Sequence, residues 1–268
     1  MQRSLKNRPT RRQQGFTLVE LILVMVITGI IAVGSTQFIV NSVRGLNDLT
    51  RRDVMANSLR TSIDKIQRQL SRSAATSVRI RRNDNAQCLE LLPIREQAFY
   101  TQAPIASSGT SIQVLGLSAD VTTMRALIGA SDANLYTAPN NASGALSSVI
   151  VEQSNTAQLH LKQLRLASRH QFSRGSAEQI INFVSSAVSY CLEAGNLYRY
   201  TDYAIHKLQP MPDSLPTNEP HKVLLAQNLL DSSSFSHHLQ ARTVNIQLTV
   251  AVENEQLSIN QQLWLADE

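Results

Sequence analysis

The stretch RRQQGFTLVELILVMVITGIIAVG, Arg11 to Gly34, decides how the rest of the chain is read. A basic arm gives way at Gly15 to an apolar run whose one charged residue, Glu20, stands near its beginning. A carboxylate at membrane depth costs about 3 kcal/mol unless something pairs with it, so a glutamate there points to function. Residues 21–40 are almost wholly apolar or small, with Thr28, Ser35, Thr36 and Gln37 the mild exceptions. Twenty helical residues rise about 30 Å, the thickness of a bilayer core. The positive flank stays on the cytoplasmic side, so everything after about residue 42 is expected across the membrane. A removable secretory signal fits poorly: it would place a small-residue cut site after the apolar region and no glutamate at its head.

The charge distribution says the same. The chain of 268 residues carries a formal charge of +5. Arg3, Lys6, Arg8, Arg11 and Arg12 all precede Gly15 with no acid among them, leaving 20 basic residues against 20 acidic ones afterwards. The basicity belongs to a targeting arm, and a nucleic-acid-binding surface is not expected.

Gly15-Phe16-Thr17-Leu18-Val19-Glu20, followed by apolar, small or threonine residues to Gly34, resembles the class III signal of type IV pilins and type II secretion pseudopilins. The resemblance implies cleavage between Gly15 and Phe16 by a membrane prepilin peptidase on the cytoplasmic face, then N-methylation of the new amino group of Phe16. It also implies a role for Glu20 in subunit assembly, meeting the terminal ammonium of a neighbouring subunit. Two groups that are each costly alone in lipid lower one another's cost when paired. The plain alternative is a Glu20 that only snorkels to the interface. One departure stands out: major pilins usually kink this helix with a proline where this chain has Gln37. Gly29, Gly34 and Gly45 supply flexibility instead, since glycine weakens a helix by about 1 kcal/mol relative to alanine.

Past Val40 the helix is expected to continue as an amphipathic rod. Leu49, Ala56, Leu59, Ile63, Ile66 and Leu70 recur at helical spacing, an apolar stripe that needs a cover. The serine-rich 71–77 region ends it, about 55 residues and roughly 80 Å from Phe16. The period then changes to two. Val78 and Ile80 precede an Asn83-Asp84-Asn85 turn, and Cys88 to Ile94 reads as a strand bounded by Pro93. Residues 101–148, rich in Ser, Thr, Ala, Asn and Gly, read as a long excursion with one short helix near Val121 to Ile128. Strand signals resume at Val149 to Val151 and Leu159 to Leu166, and Ile180 to Tyr190 and Leu197 to Tyr203 flank a hairpin turn at Glu193 to Asn196. A loop with four prolines spans Gln209 to Pro220. Val244, Ile246, Leu248, Val250 and Val252 then alternate with polar residues, and Leu257, Ile259, Leu263 and Leu265 return after a turn.

One long helix followed by antiparallel strands is the pilin-like α+β plan, a helix packed on an antiparallel β-sheet head. The expected divisions are a cleaved leader at 1–15, a transmembrane half-helix at 16–40, an amphipathic half-helix at 41–73, and a periplasmic or extracellular head at 74–268 with its long loop about 101–148. The pieces CLELLPI, SSVIVEQSN, AVSYCLEAGNLYRYTDY and VNIQLTVAVENEQLSINQQLWLAD resemble the MshO family of minor pilins, which serve the mannose-sensitive haemagglutinin (MSHA) pilus. That likeness implies a single-pass inner-membrane protein drawn into a filament, priming assembly near its tip or supporting adhesion. Its implied partners are other minor and major pilins, the prepilin peptidase and the inner-membrane assembly platform. The J-type minor pseudopilin of type II secretion is the alternative.

Cys88 and Cys191 are the chain's two cysteines, both in strand-like segments on the side expected to be oxidising. A disulfide between them and two buried thiols both satisfy that count. The six histidines form no recognised ligand spacing, and the acidic residues Glu253, Glu255, Asp267 and Glu268 resemble no calcium loop, so neither metal nor cofactor is expected. No nucleophile elbow or phosphate-binding loop is written in the sequence, which together with the assembly signal argues against an enzyme.

Overall fold

A computed structural model describes residues 15, 17–131, 135–136, 142–158, 160–238, 241–253 and 255–265. The chain divides into two units, Met1–Asp53 and Val54–Glu268. One helix, α1 (Leu18–Leu70), supplies the described body of the first unit and opens the second. It continues as helix through Gln37, the position without a proline.

In the second unit, α1 presents Met55, Leu59, Ile63, Ile66 and Leu70, all buried, at helical spacing. The expected stripe is corrected at its start. Leu49 is exposed and Ala56 only half-buried, because packing begins with Met55. Two antiparallel sheets cover this face. The first has the order β1 (Arg79–Arg82), β2 (Ala86–Leu91), β10 (Ala187–Glu193), β11 (Asn196–Tyr203), β12 (Lys222–Ala226). The second is the meander β13 (Ser234–His238), β14 (Thr243–Val252), β15 (Glu255–Trp264). Leu89, Leu91, Val188 and Tyr190 of the first sheet join Val244, Ile246, Leu248 and Val250 of the second in one core with the helix. Ser62 adds a polar tie: its hydroxyl donates to the carbonyl of Leu225 on β12 at 3.1 Å.

Local chemistry explains the turns. Asn83 Oδ1 accepts from the backbone N–H groups of Asn85 and Ala86, at 3.1 and 2.7 Å, and folds the chain from β1 into β2. Between β10 and β11, Ala194 and Gly195 both take positive φ, 48° and 72°. Two successive left-handed residues are what a two-residue hairpin of this twist demands.

The region 101–148 departs most from the sequence reading. It is not one long excursion, and the short helix expected near Val121 to Ile128 is absent; strand β5 (Arg125–Leu127) lies there instead. Strands β3 (Ile94–Gln102), β4 (Gly109–Leu115), β7 (Leu146–Asn155), β8 (Leu161–Phe172) and β9 (Ile180–Val184) join β5 in a ring. The order β4-β3-β9-β5-β7-β8 closes through a β4–β8 pairing, with every contact antiparallel. A short strand β6 (Ser143–Gly144) adds to β8 in parallel. Closure removes free sheet edges and encloses a core of its own, including Ile112, Val114, Ile150, Leu164, Phe172 and Phe183. The barrel thus runs from Ile94 to Val184, inserted between β2 and β10, which pair directly with each other. Ile180 to Tyr190 spans the boundary: β9 belongs to the barrel and β10 to the first sheet.

Candidate functional site

The N-terminal segment is built by a cap. Thr17 precedes the helix, and its Oγ1 accepts the backbone N–H of Glu20 at 3.3 Å. The sequence Thr-x-x-Glu places the carboxylate in the first turn, where a negative charge also meets the positive end of the helix dipole. Phe16, where the resemblance places cleavage and methylation, lies outside the described residues; Gly15 and Glu20 are both exposed.

From Leu18 to Val43 every residue of α1 is exposed, and Glu20 is the one charged residue among them. Side chains as large as Leu18, Ile30, Val33 and Phe38 are more than 60% exposed. A helix apolar on all sides has no polar face to turn to water, which is the pattern of a membrane span. Both of its threonine hydroxyls are satisfied internally: Thr28 Oγ1 donates to the Val24 carbonyl at 2.7 Å and Thr36 Oγ1 to the Ala32 carbonyl at 2.8 Å. Such bonding suits a medium that offers no partner of its own. This is the one helix long and apolar enough to span among the described residues.

The head holds the two cysteines. Cys88 on β2 and Cys191 on β10 are cross-strand partners in register, with sulfurs 2.05 Å apart and neither residue exposed. They face the core opposite the helix, with Ala86, Ala187, Tyr200 and Leu146. Since β2 leads into the barrel and β10 leaves it, the bond closes the neck of the insertion.

Beside the neck lies a polar cluster that the sequence reading missed. Glu90 is fully buried, and Arg79 Nε donates to its Oε1 at 2.8 Å. Arg79 also donates to the carbonyls of Lys207 and His206, at 2.7 and 2.9 Å, and its guanidinium lies 3.6 Å from the centre of the Tyr136 ring. Tyr203 OH donates to Glu90 Oε2 at 3.2 Å and shares a 2.7 Å bond with Ser189. Burial pushes the Glu90 carboxyl above its ordinary range, and Arg79 holds it back. Burial and the neighbouring Glu90 likewise raise the Tyr203 hydroxyl. The cluster fastens β1, β2 and the 206–207 segment together. Its only sequence signal is a charged Glu90 set between Leu89 and Leu91 in a strand that is buried throughout.

A family model, the prokaryotic N-terminal methylation motif, matches residues 10–36. No curated protein and no solved structure matches the chain. The matched segment contains the Thr17–Glu20 cap and most of the exposed apolar helix, and an antiparallel β head follows. The chain thus joins an N-terminal methylation motif of the class III signal type to a long exposed apolar helix and an antiparallel β head, a pilin-like α+β architecture.

Proposed function

We propose that this chain is a minor type IV pilin of the MshO kind, a non-enzymatic subunit that acts in building an MSHA-type pilus. One observation carries the reading: a helix exposed from Leu18 to Val43, predominantly apolar, whose one charged residue is a carboxylate in its first turn. Cleavage after Gly15 would leave an ammonium on Phe16, to be methylated, about one helical turn from Glu20. Partner helices and, before assembly, the inner membrane would cover the apolar surface. Glu20 would pair with the terminal ammonium of an adjacent subunit and favour one stagger between helices.

The absence of a proline at position 37 and the barrel carried on the head support a minor rather than a major subunit. A place near the filament tip would leave the barrel free to prime assembly or meet a surface. The test is deletion of the coding region, with surface pili counted by electron microscopy and secreted enzymes assayed in the same cells. Bald cells with normal secretion are expected. Normal pili with exoproteins trapped in the periplasm would instead make the chain a J-type pseudopilin.

A further inference from the structure

A cleft of about 630 Å³ opens in the head where the end of α1 meets the first sheet and the start of β3. Five cationic side chains line it and no carboxylate does: Lys65 and Arg68 from α1, Arg72 from the turn after it, Arg95 from β3, and Arg199 from β11. Among the described residues none of the five has a carboxylate within ion-pair distance. The polar contacts of Arg95 and Arg199 go to neutral groups, Ser185 Oγ at 3.4 Å and Gln69 Oε1 at 3.5 Å, which leave their charges uncompensated. After Gly15 the chain carries equal numbers of acidic and basic residues, so this concentration of one sign is a local feature. Low-dielectric walls around like charges focus their field into the space between them.

We propose that this cleft is a docking site for an acidic peptide segment of another protein. The floor is apolar, with Pro93, Ile94, Val223 and Leu225 between the cations. Such a floor suits a segment that alternates carboxylates with aliphatic side chains. The charges come from three elements and the turn after α1, a spread that suits a row of carboxylates better than a single phosphate. Nucleic acid is disfavoured, because the one aromatic side chain lining the cleft, Tyr190, is 1% exposed and offers no stacking face. The site is independent of the assembly reading, since none of its residues belongs to the N-terminal unit.

The experiment uses the full chain in detergent micelles and a short fluorescent peptide of alternating glutamate and valine, followed by anisotropy at low salt. Binding that weakens as salt rises is expected, with no binding of the peptide in which glutamine replaces glutamate. The triple variant Lys65→Gln, Arg68→Gln, Arg72→Gln alters exposed side chains and is expected to lose affinity about tenfold. Near-ultraviolet circular dichroism checks that its head is folded. Equal binding by the folded variant, or equal binding of the glutamine peptide, would overturn the proposal. Binding of inorganic phosphate, or of phosphatidylglycerol added to the micelles, that the triple variant loses while neither protein binds the glutamate peptide would overturn it too, in favour of free phosphate or a phosphate headgroup respectively.

Discussion

The two ends of α1 are made of similar residues and meet opposite fates. Near its start, Ile22, Leu23, Ile27 and Ile30 are each about half exposed or more. Near its end, Leu59, Ile63 and Ile66 are at most 1% exposed, beneath two sheets. The difference lies in patterning. The later segment confines its large apolar side chains to one stripe and leaves Arg60, Asp64, Lys65 and Arg68 in water. The earlier segment spreads them all round, so no single sheet could cover them. One helix therefore carries a surface to be buried by its own chain and a surface to be buried by something else, lipid or other subunits.

Changes at the earlier end should act on assembly and changes at the later end on stability. The largest assembly effect is expected from Glu20→Ala. Its product should still be cut after Gly15, while incorporation into filaments drops to a small fraction of wild type, as read by immunoblot of sheared surface pili. Full incorporation would remove Glu20 from the assembly mechanism. In the head, Cys88→Ser should cost about 2–5 kcal/mol and expose the barrel to protease. Urea titration of the full chain in detergent measures it, and unchanged stability with no redox-dependent gel shift would argue for free thiols.

A matched pair sharpens the contrast within the helix. Ile63→Ala removes a buried side chain and should cost the head about 2–5 kcal/mol without affecting membrane retention. Leu23→Ala, an exposed position of the same helix, should change head stability by less than about 0.5 kcal/mol. Equal losses in the same urea titration would mean that this chain covers both segments.

The buried polar cluster gives a smaller but pH-dependent effect. Arg79→Leu strands Glu90 without its cation and should cost about 3 kcal/mol at neutral pH. Burial already raises the Glu90 carboxyl, and losing Arg79 removes what holds it down. A folded-state pKa raised above the unfolded one gives a contribution that is full at low pH and lost as pH rises through the folded value. The deficit relative to wild type should therefore shrink as pH falls toward 4, when Glu90 is protonated. Denaturation at two pH values checks the sign, and a deficit that grows on acidification would contradict it.

Much of this architecture is legible from periodicity. The apolar run, the stripe from Leu59 to Leu70, the Asn83 turn, the Ala194-Gly195 hairpin and the β14–β15 alternation are local signals, and each coincides with an element. The barrel is hidden because its order is not local. Register shifts between Tyr100 and Gln102 and between Gly109 and Ser111 break the period of two where it would show. Serine and threonine on the outer positions give the region the composition of a loop. Closure also needs β4 to find β8, far away in sequence, and no window reveals that pairing. The proximity of Cys88 to Cys191 is invisible for the same reason, since it depends on β2 and β10 meeting across the whole insertion. The cationic cleft is scattered through the sequence as ordinary surface lysine and arginine.

The central claim is that the exposed half of α1 is an assembly segment released by cleavage after Gly15. Intact-mass and N-terminal analysis of the chain extracted from its host membrane tests it most directly. A mature chain beginning at Phe16 with a methylated amino group is the predicted result. A chain that keeps its basic arm, or one cut after the apolar run, would contradict the account.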